Sequence, residues 1–132
     1  MQVGVIDLGT NTFHLLIARI SEGRFGILHK EKVPVEVGRG GINQGQITEL
    51  AYSRALKAMG HFEQLIKLHK VEEVVSTATS AFRNASNGPQ LLEDIKKQTG
   101  KATTIIDGQH EASYYFEGVK RALKLSHKPS LI

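Results

Sequence analysis

The sequence contains no cysteine, no tryptophan and only three prolines. The absence of cysteine excludes a disulfide scaffold, a cysteine nucleophile and every thiolate metal site. The 132 residues correspond to one domain, and a chain of this length can bury a substantial core. Apolar residues make up 40% and charged residues 23%, which is an ordinary balance for a globular protein.

Long hydrophobic runs and targeting signals are also missing. The longest unbroken apolar run, Leu15–Ala18, is far shorter than the ~20 residues that span a bilayer. No basic residue precedes Arg19, and Asp7 would interrupt the apolar part of a secretory signal. We therefore expect a soluble, cytoplasmic protein with no membrane partner.

The excess of positive charge is small. Seventeen Lys and Arg residues against thirteen Asp and Glu residues give a formal net charge of +4. This balance suits an anionic ligand without requiring one. No basic stripe with interleaved aromatic residues is present, so we expect no nucleic-acid partner.

Several common ligand-binding motifs are incomplete or absent in this sequence. Gly38 and Gly40 fit the start of the dinucleotide pattern GxGxxG, but Asn43 occupies its last position. No GxxxxGK[ST] phosphate loop occurs. His110 begins the zinc-protease pattern HExxH, whose closing position is Tyr114. These failures exclude a dinucleotide fingerprint, a P-loop and a zinc-protease site.

The pattern of apolar residues predicts strands in the first half and alternating helices and strands in the second. Turn signals and alternating valines indicate a three-stranded antiparallel meander over residues 2–38. Thr48 is a good N-cap, and Gly100 a good helix stop. The further predicted elements are a helix over 48–69, a strand over 71–77, a helix over 86–99, a strand over 102–106, a helix from about 108, and the start of a strand over 129–132.

The resulting order, βββαβαβα followed by the start of a strand, indicates an α/β fold. A meander would be followed by parallel strands that helices connect. Residue types alone leave several mixed-sheet folds open.

The first candidate site is the turn after the first predicted strand. Gly9 permits a sharp turn, and successive backbone N–H groups around such a turn can bind an anion. Thr10, Asn11 and Thr12 add uncharged side-chain donors. Asp7, at the strand end, offers a carboxylate for a hydrated Mg²⁺ ion. The alternative interpretation is an ordinary hairpin turn with polar residues.

Two further residues are candidates for phosphate chemistry. Arg83 follows a predicted buried strand, and its planar guanidinium matches phosphate oxygens, although a surface arginine is the alternative. Glu111 lies near the start of a predicted helix, where a carboxylate can orient and deprotonate water. A stabilising interaction with the helix dipole is the alternative for Glu111. We expect His14, on an apolar strand, to be a packed residue rather than a catalyst.

Four segments, taken in order, resemble one protein family. The segment D-L-G-T-N-T at 7–12 is similar to the family's first phosphate loop, usually written D-L-G-S-N-S. V-G-R-G at 37–40 resembles its L-G-x-G segment, and T-S-A-F-R-N-A at 79–85 resembles T-x-x-x-R-x-A. G-Q-H-E-A at 108–112 resembles G-x-E-E-A. This is the exopolyphosphatase and guanosine pentaphosphate phosphohydrolase (Ppx/GppA) family.

The resemblance implies a lobe of the ribonuclease H-like, actin-like ATPase type. It implies release of terminal phosphate from inorganic polyphosphate, with Mg²⁺ as cofactor. Guanosine pentaphosphate is the rival substrate, and a non-catalytic actin-like nucleotide- or phosphate-binding module is the rival class. Glu111 argues against the module, because a binder needs no carboxylate beside bound phosphate. The implied roles are catalytic base for Glu111 and substrate binding for Arg83 and for the first phosphate loop, with Gly9, Thr10, Asn11 and Thr12. The metal role of Asp7 rests on the chemistry of the turn described above.

The sequence departs from the family pattern in two places. His110 stands where the family has the first glutamate of E-E-A. The second phosphate loop, D-I-G-G-G-S, should follow the strand beginning at Leu131, beyond the last residue of this sequence. We therefore expect residues 1–132 to be the incomplete first lobe of a longer enzyme, nearly inactive alone. Whether the full-length protein is a homodimer stays open.

Overall fold

The computed structural model describes residues 1–39, 45–79, 82 and 84–105 of the chain. Within these residues the order of elements is βββαβαβ, as the sequence predicts. The predicted helix from about residue 108 and the strand start at 129–132 lie outside the described residues. The elements are β1 (Gln2–Leu8), β2 (Thr12–Ser21), β3 (Arg24–Pro34), α1 (Glu49–Leu68), β4 (Glu73–Ala78), α2 (Gly88–Thr99) and β5 (Thr104–Ile105).

The strands form one mixed sheet in the order β3-β2-β1-β4-β5. The pairs β1–β2 and β2–β3 are antiparallel, whereas β4 pairs in parallel with both β1 and β5. The strands β1, β3, β4 and β5 therefore all end at the same edge of the sheet. This is the α/β, ribonuclease H-like arrangement that the sequence analysis expected.

The main core lies between one face of the sheet and the two helices. Phe13, Leu15 and Ile17 alternate along β2 and are buried on that face. Met59 and Phe62 of α1 pack in the same cluster. Replacing a fully buried Phe such as Phe62 with Ala would cost about 3–5 kcal/mol. Three small alanines on α1 are also buried, which lets the helix lie close to its neighbours: Ala51, Ala55 and Ala58.

The ends of the helices follow the predicted signals. Thr48 caps α1, with its hydroxyl accepting a hydrogen bond from the Ala51 amide at 3.2 Å. Gly100 ends α2 in the left-handed conformation with φ of 72°, which glycine adopts without steric cost. None of the helices among the described residues is long and apolar enough to cross a membrane.

The predicted extension of the third strand to Val37 is wrong. β3 ends at Pro34, and the chain then turns. Glu36 has a φ of 51°, which no strand residue has. Val35 and Val37 are nevertheless buried in the main core. Their alternation in the sequence therefore reflects burial within a turn rather than an extended strand.

Candidate functional site

The segment Gly9–Thr12, here called the Gly9 turn, connects β1 to β2 at the carboxyl edge of the sheet. The Gly9 amide donates a hydrogen bond to the Thr12 carbonyl oxygen at 3.1 Å. A Cβ atom on Gly9 would lie 2.7 Å from that same oxygen, closer than real Cβ contacts. The turn therefore requires glycine at position 9.

The carbonyl groups of the Gly9 turn are bonded to a second segment, residues 35–39, here called the 35–39 turn. The Asn11 carbonyl accepts hydrogen bonds from the Val35 and Glu36 amides, both at 2.9 Å. The Thr10 carbonyl accepts a longer bond of 3.4 Å from the Gly38 amide. These bonds hold the Gly9 turn against the start of the V-G-R-G segment.

The amides of the Gly9 turn are arranged differently from its carbonyls. In the described part of the chain, the N–H groups of Thr10 and Asn11 have no protein acceptor. Consecutive amides without acceptors on a turn are free to donate to an anion. These two amides are therefore candidates for contacts with an anionic ligand.

The end of β4 lies directly beside this turn. The Thr79 amide donates to the Leu8 carbonyl at 3.1 Å. The hydroxyl oxygens of Thr10 and Thr79 are 3.4 Å apart. Thr79 begins the T-x-x-x-R-x-A segment but was not assigned a site role from the sequence. The pairing of β1 with β4 is what brings these two hydroxyls together.

Asp7 lies on the sheet face opposite the two helices. Its Cα partners are His14 on β2 and Thr77 on β4. The Asp7 Oδ1 atom is buried and has no hydrogen-bond partner in the described part of the chain. Burial raises the pKa of the Asp7 carboxyl, and the charge of His14 opposes this shift. A buried carboxylate oxygen without a partner is suited to a cation or its bound water.

The described residues fit Mg²⁺ better than a metal ion that takes all of its ligands from protein side chains. Among residues 1–39, 45–79, 82 and 84–105, no group of three His, Asp or Glu side chains could hold a metal ion. Mg²⁺ usually binds one or two carboxylates and takes its other ligands from water and substrate phosphates. Asp7 can supply the carboxylate of such a site.

Five of the seven predicted site residues lie in the described part of the chain, and two do not. Arg83 and Glu111 both lie outside the described residues. Phe82, which precedes Arg83, is fully buried, and its ring centroid is 6.1 Å from that of Phe13. The Phe82 amide also donates to the Thr79 carbonyl at 3.1 Å. The five predicted residues in the described part are Asp7, Gly9, Thr10, Asn11 and Thr12.

Comparison with known proteins defines the class. The chain superimposes on an exopolyphosphatase from Cytophaga hutchinsonii with a TM-score of 0.84 and 45% identity, covering 92% of this chain and 39% of that one. A Ppx/GppA family member from Aquifex aeolicus gives a TM-score of 0.84 at 29% identity, covering 94% of this chain and 40% of that one. The fold is thus that of the Ppx/GppA proteins.

The sequence comparisons agree with the structural ones. The model of the Ppx/GppA phosphatase family matches residues 16–132, so the chain belongs to that family. Exopolyphosphatase 1 of Mycobacterium leprae is 29% identical over 122 residues, which are 92% of this chain and 36% of that protein. The chain therefore spans little more than a third of the length of the curated relatives it matches.

Proposed function

We propose that the chain is the first lobe of an enzyme that releases terminal phosphate from inorganic polyphosphate. The single observation that carries the proposal is the Gly9 turn: its Thr10, Asn11 and Thr12 carbonyls are bonded within the protein, while two of its amides have no acceptor in the described part of the chain. The printed names of similar proteins, which are exopolyphosphatases, support polyphosphate as the substrate. The second phosphate loop and the second lobe would follow this segment in the complete enzyme.

In this mechanism the turn binds and orients the terminal phosphate. The amides of Thr10 and Asn11 donate to its oxygens, and the hydroxyls of Thr10 and Thr12 add neutral donors. Phosphoryl transfer depends mainly on positioning and on stabilising charge, so such preorganised donors contribute directly to the rate. Arg83 would add a bidentate, charged contact to the same phosphate group.

Glu111 is proposed as the base. Its carboxylate would accept a proton from the water that attacks the terminal phosphorus. The bond to the bridging oxygen then breaks, and the shortened polyphosphate leaves. Asp7 would hold Mg²⁺ through water, and the bound ion would neutralise charge on the phosphate oxygens.

The experiment that tests this proposal replaces the base without changing its shape. In the complete enzyme, Glu111→Gln should lower kcat by about 10²–10⁴-fold and leave polyphosphate binding largely intact. Glu93→Gln is the matched control, because Glu93 is an exposed residue of α2. The measurement is steady-state phosphate release together with polyphosphate binding and thermal stability.

Two outcomes would redirect the assignment. Near-normal turnover by Glu111→Gln would leave Glu111 as a helix-start residue that only stabilises the fold. Assays with guanosine pentaphosphate as well as polyphosphate distinguish the two substrates. A complete protein that binds phosphate compounds and hydrolyses neither would instead be a binding module.

A further inference from the structure

Arg54 on α1 holds the segment that supports the Gly9 turn. Its Nε donates to the Val35 carbonyl at 2.8 Å, and its Nη2 donates to the Glu36 carbonyl at 3.4 Å. The amides of the same two residues donate to the Asn11 carbonyl. One short stretch of backbone is therefore bonded to Arg54 through its carbonyls and to the Gly9 turn through its amides.

This stretch needs external support because its backbone is strained. Glu36 adopts a left-handed conformation with φ of 51°, which is unfavourable for any residue with a Cβ atom. The Glu36 side chain pairs with Arg39 at 2.8 Å, but the Arg39 side chain is 75% exposed and the Glu36 side chain 44%. Exposed ion pairs contribute little to stability. The partly buried contacts from Arg54 are therefore the stronger restraint on this backbone.

We infer that Arg54 is a positioning residue for the Gly9 turn. The inference rests on the proposed function, since the turn is taken to bind the terminal phosphate. Arg54 acts through Val35 and Glu36: it fixes where their amides lie, and these fix the Asn11 carbonyl. The Asn11 carbonyl lies in the peptide group that joins Asn11 to Thr12, so anchoring it holds the end of the turn that follows the unpartnered Thr10 and Asn11 amides.

The loss of Arg54 should therefore affect the alignment of the bound phosphate more than the strength of its binding. The donors of the Gly9 turn remain present in Arg54→Ala, but they no longer hold the phosphate in line with the attacking water. A misplacement of this kind lowers kcat by about ten- to a hundredfold. KM should change by less than about threefold, because ground-state contacts are largely kept.

A groove beside Arg54 makes a sharper test available. The groove has a volume of ≈ 400 Å³ and is lined by Arg54 and Lys57 of α1 and by Val33 and Pro34 of β3. A free guanidinium ion can enter it once the Arg54 side chain is removed. Added guanidinium at millimolar concentration should then restore part of the kcat of Arg54→Ala. Arg54→Lys should retain part of the activity unaided, since an ammonium can bond one carbonyl but lacks the planar fork.

The control variant is Lys57→Ala in the complete enzyme. Lys57 lines the same groove and is exposed, and its side chain has no hydrogen bond or ion pair in the described part of the chain. Its kcat should be unchanged, and guanidinium should have no effect on it. A normal kcat for Arg54→Ala well below its melting temperature would overturn the inference. So would a loss of activity that follows a lowered melting temperature and does not respond to guanidinium.

A second readout does not depend on catalysis. Amide hydrogen exchange at Val35 and Glu36, measured without substrate, should be faster in Arg54→Ala than in Lys57→Ala. If the unaltered enzyme hydrolysed neither polyphosphate nor guanosine pentaphosphate, the proposed function would fail, and faster exchange would still support the positioning role. Unchanged exchange at both amides would overturn that role whatever the activity.

Discussion

At the scale of single residues, Gly9 and Gly26 show how differently two glycines in one sheet are constrained. A Cβ atom at Gly9 would meet the Thr12 carbonyl oxygen at 2.7 Å, and that atom is backbone. A Cβ atom at Gly26, on β3, would meet nothing within 4 Å. The first glycine is required by the shape of the Gly9 turn, and the second is not.

We therefore expect Gly9→Ala to be destabilising and Gly26→Ala to be neutral or stabilising. Forcing an extra carbon against backbone typically costs about 1–3 kcal/mol. At an unstrained position, Gly→Ala reduces unfolded-state entropy and can add about 0.4–1 kcal/mol. Urea unfolding of both variants measures the difference. Equal stability of the two would mean that the turn adapts to a side chain without cost.

The Asp7 carboxyl leads to a prediction about pH. Its folded-state pKa lies above its ordinary value of 3.8 because the group is partly buried. The folded protein therefore binds its proton more readily than the unfolded chain, and stability falls as pH rises from 3.8 through the raised pKa. Above that range the buried carboxylate is a constant penalty. Asp7→Asn should consequently raise the urea midpoint at pH 7 in metal-free buffer, with a smaller effect at pH 4.

Asp94 is a carboxyl group whose pKa is shifted in the direction opposite to that of Asp7. The hydrogen bond from Tyr52 lowers the pKa of Asp94, so its contribution to stability is present above 3.8 and is lost as pH falls. Asp94→Asn should therefore be destabilising at pH 7.

The metal role of Asp7 can be tested by the same unfolding measurement. Mg²⁺ should raise the urea midpoint of the unaltered protein more than that of Asp7→Asn, because an ion that binds the folded state stabilises it. An equal response to Mg²⁺ would remove Asp7 from the metal site.

At the scale of elements, α1 and α2 are connected by polar contacts at several points. Tyr52 of α1 donates a hydrogen bond to Asp94 of α2. The Gln98 side-chain amide donates to the Leu56 carbonyl at 3.0 Å. Ahead of the helices, the Asn87 side chain accepts from the Ile47 amide at 2.8 Å and donates to its carbonyl at 2.9 Å. These contacts fix the two helices relative to each other over the sheet.

The Tyr52 contact has a spectroscopic signature. Burial, followed by the hydrogen bond and charge of Asp94, raises the pKa of Tyr52 from 10.0 to about 12. Of the three tyrosines, Tyr52 should therefore ionise late in a titration of phenolate absorbance. The late step should disappear in Tyr52→Phe and shift downward in Asp94→Asn. Tyr52→Phe should also cost about 1 kcal/mol for the lost hydrogen bond.

The Tyr52–Asp94 contact also makes the free energy of unfolding depend on pH in the alkaline range. The folded state keeps the Tyr52 proton above pH 10.0, where the unfolded chain loses it. This contribution to stability is therefore complete below 10.0 and is lost as pH rises towards about 12. Alkaline unfolding of Tyr52→Phe should depend less steeply on pH in this range. An identical dependence would show that Tyr52 titrates normally.

Sequence reasoning succeeded where local signals decide the structure. Thr48 and Gly100 mark helix ends through their own conformations, and the glycine in the Gly9 turn is dictated by a contact within four residues. It failed where distant residues decide. The start of α2 near Asn87 was predicted correctly, but the bond from the Asn87 side chain to Ile47, forty residues away, was not foreseen.

The same distinction applies to the site. Asp7 and the residues of the Gly9 turn are adjacent in sequence, so their grouping could be predicted. Thr79 reaches the turn only through the pairing of β4 with β1, and Arg54 reaches Val35 from another element. An arginine among the small residues of an amphipathic helix carries no local sign of what it will contact.

At the scale of the whole molecule, the sheet divides into a local part and a distant part. β1, β2 and β3 follow one another along the chain and pair in sequence order. β4 pairs with β1 only after α1 has been crossed, so that Val3 lies opposite Glu73. The candidate site includes residues from both parts: the Gly9 turn and the 35–39 turn belong to the local part, and Thr79 to the distant one.

This strand order has a consequence for the path of folding. Closing a long loop costs more chain entropy than closing a hairpin, so the meander should form before β4 arrives. During synthesis it also leaves the ribosome first. The Gly9 turn and its bonds to Val35 and Glu36 can thus be in place early in folding. Thr79, at the end of β4, would then join a Gly9 turn that has already formed.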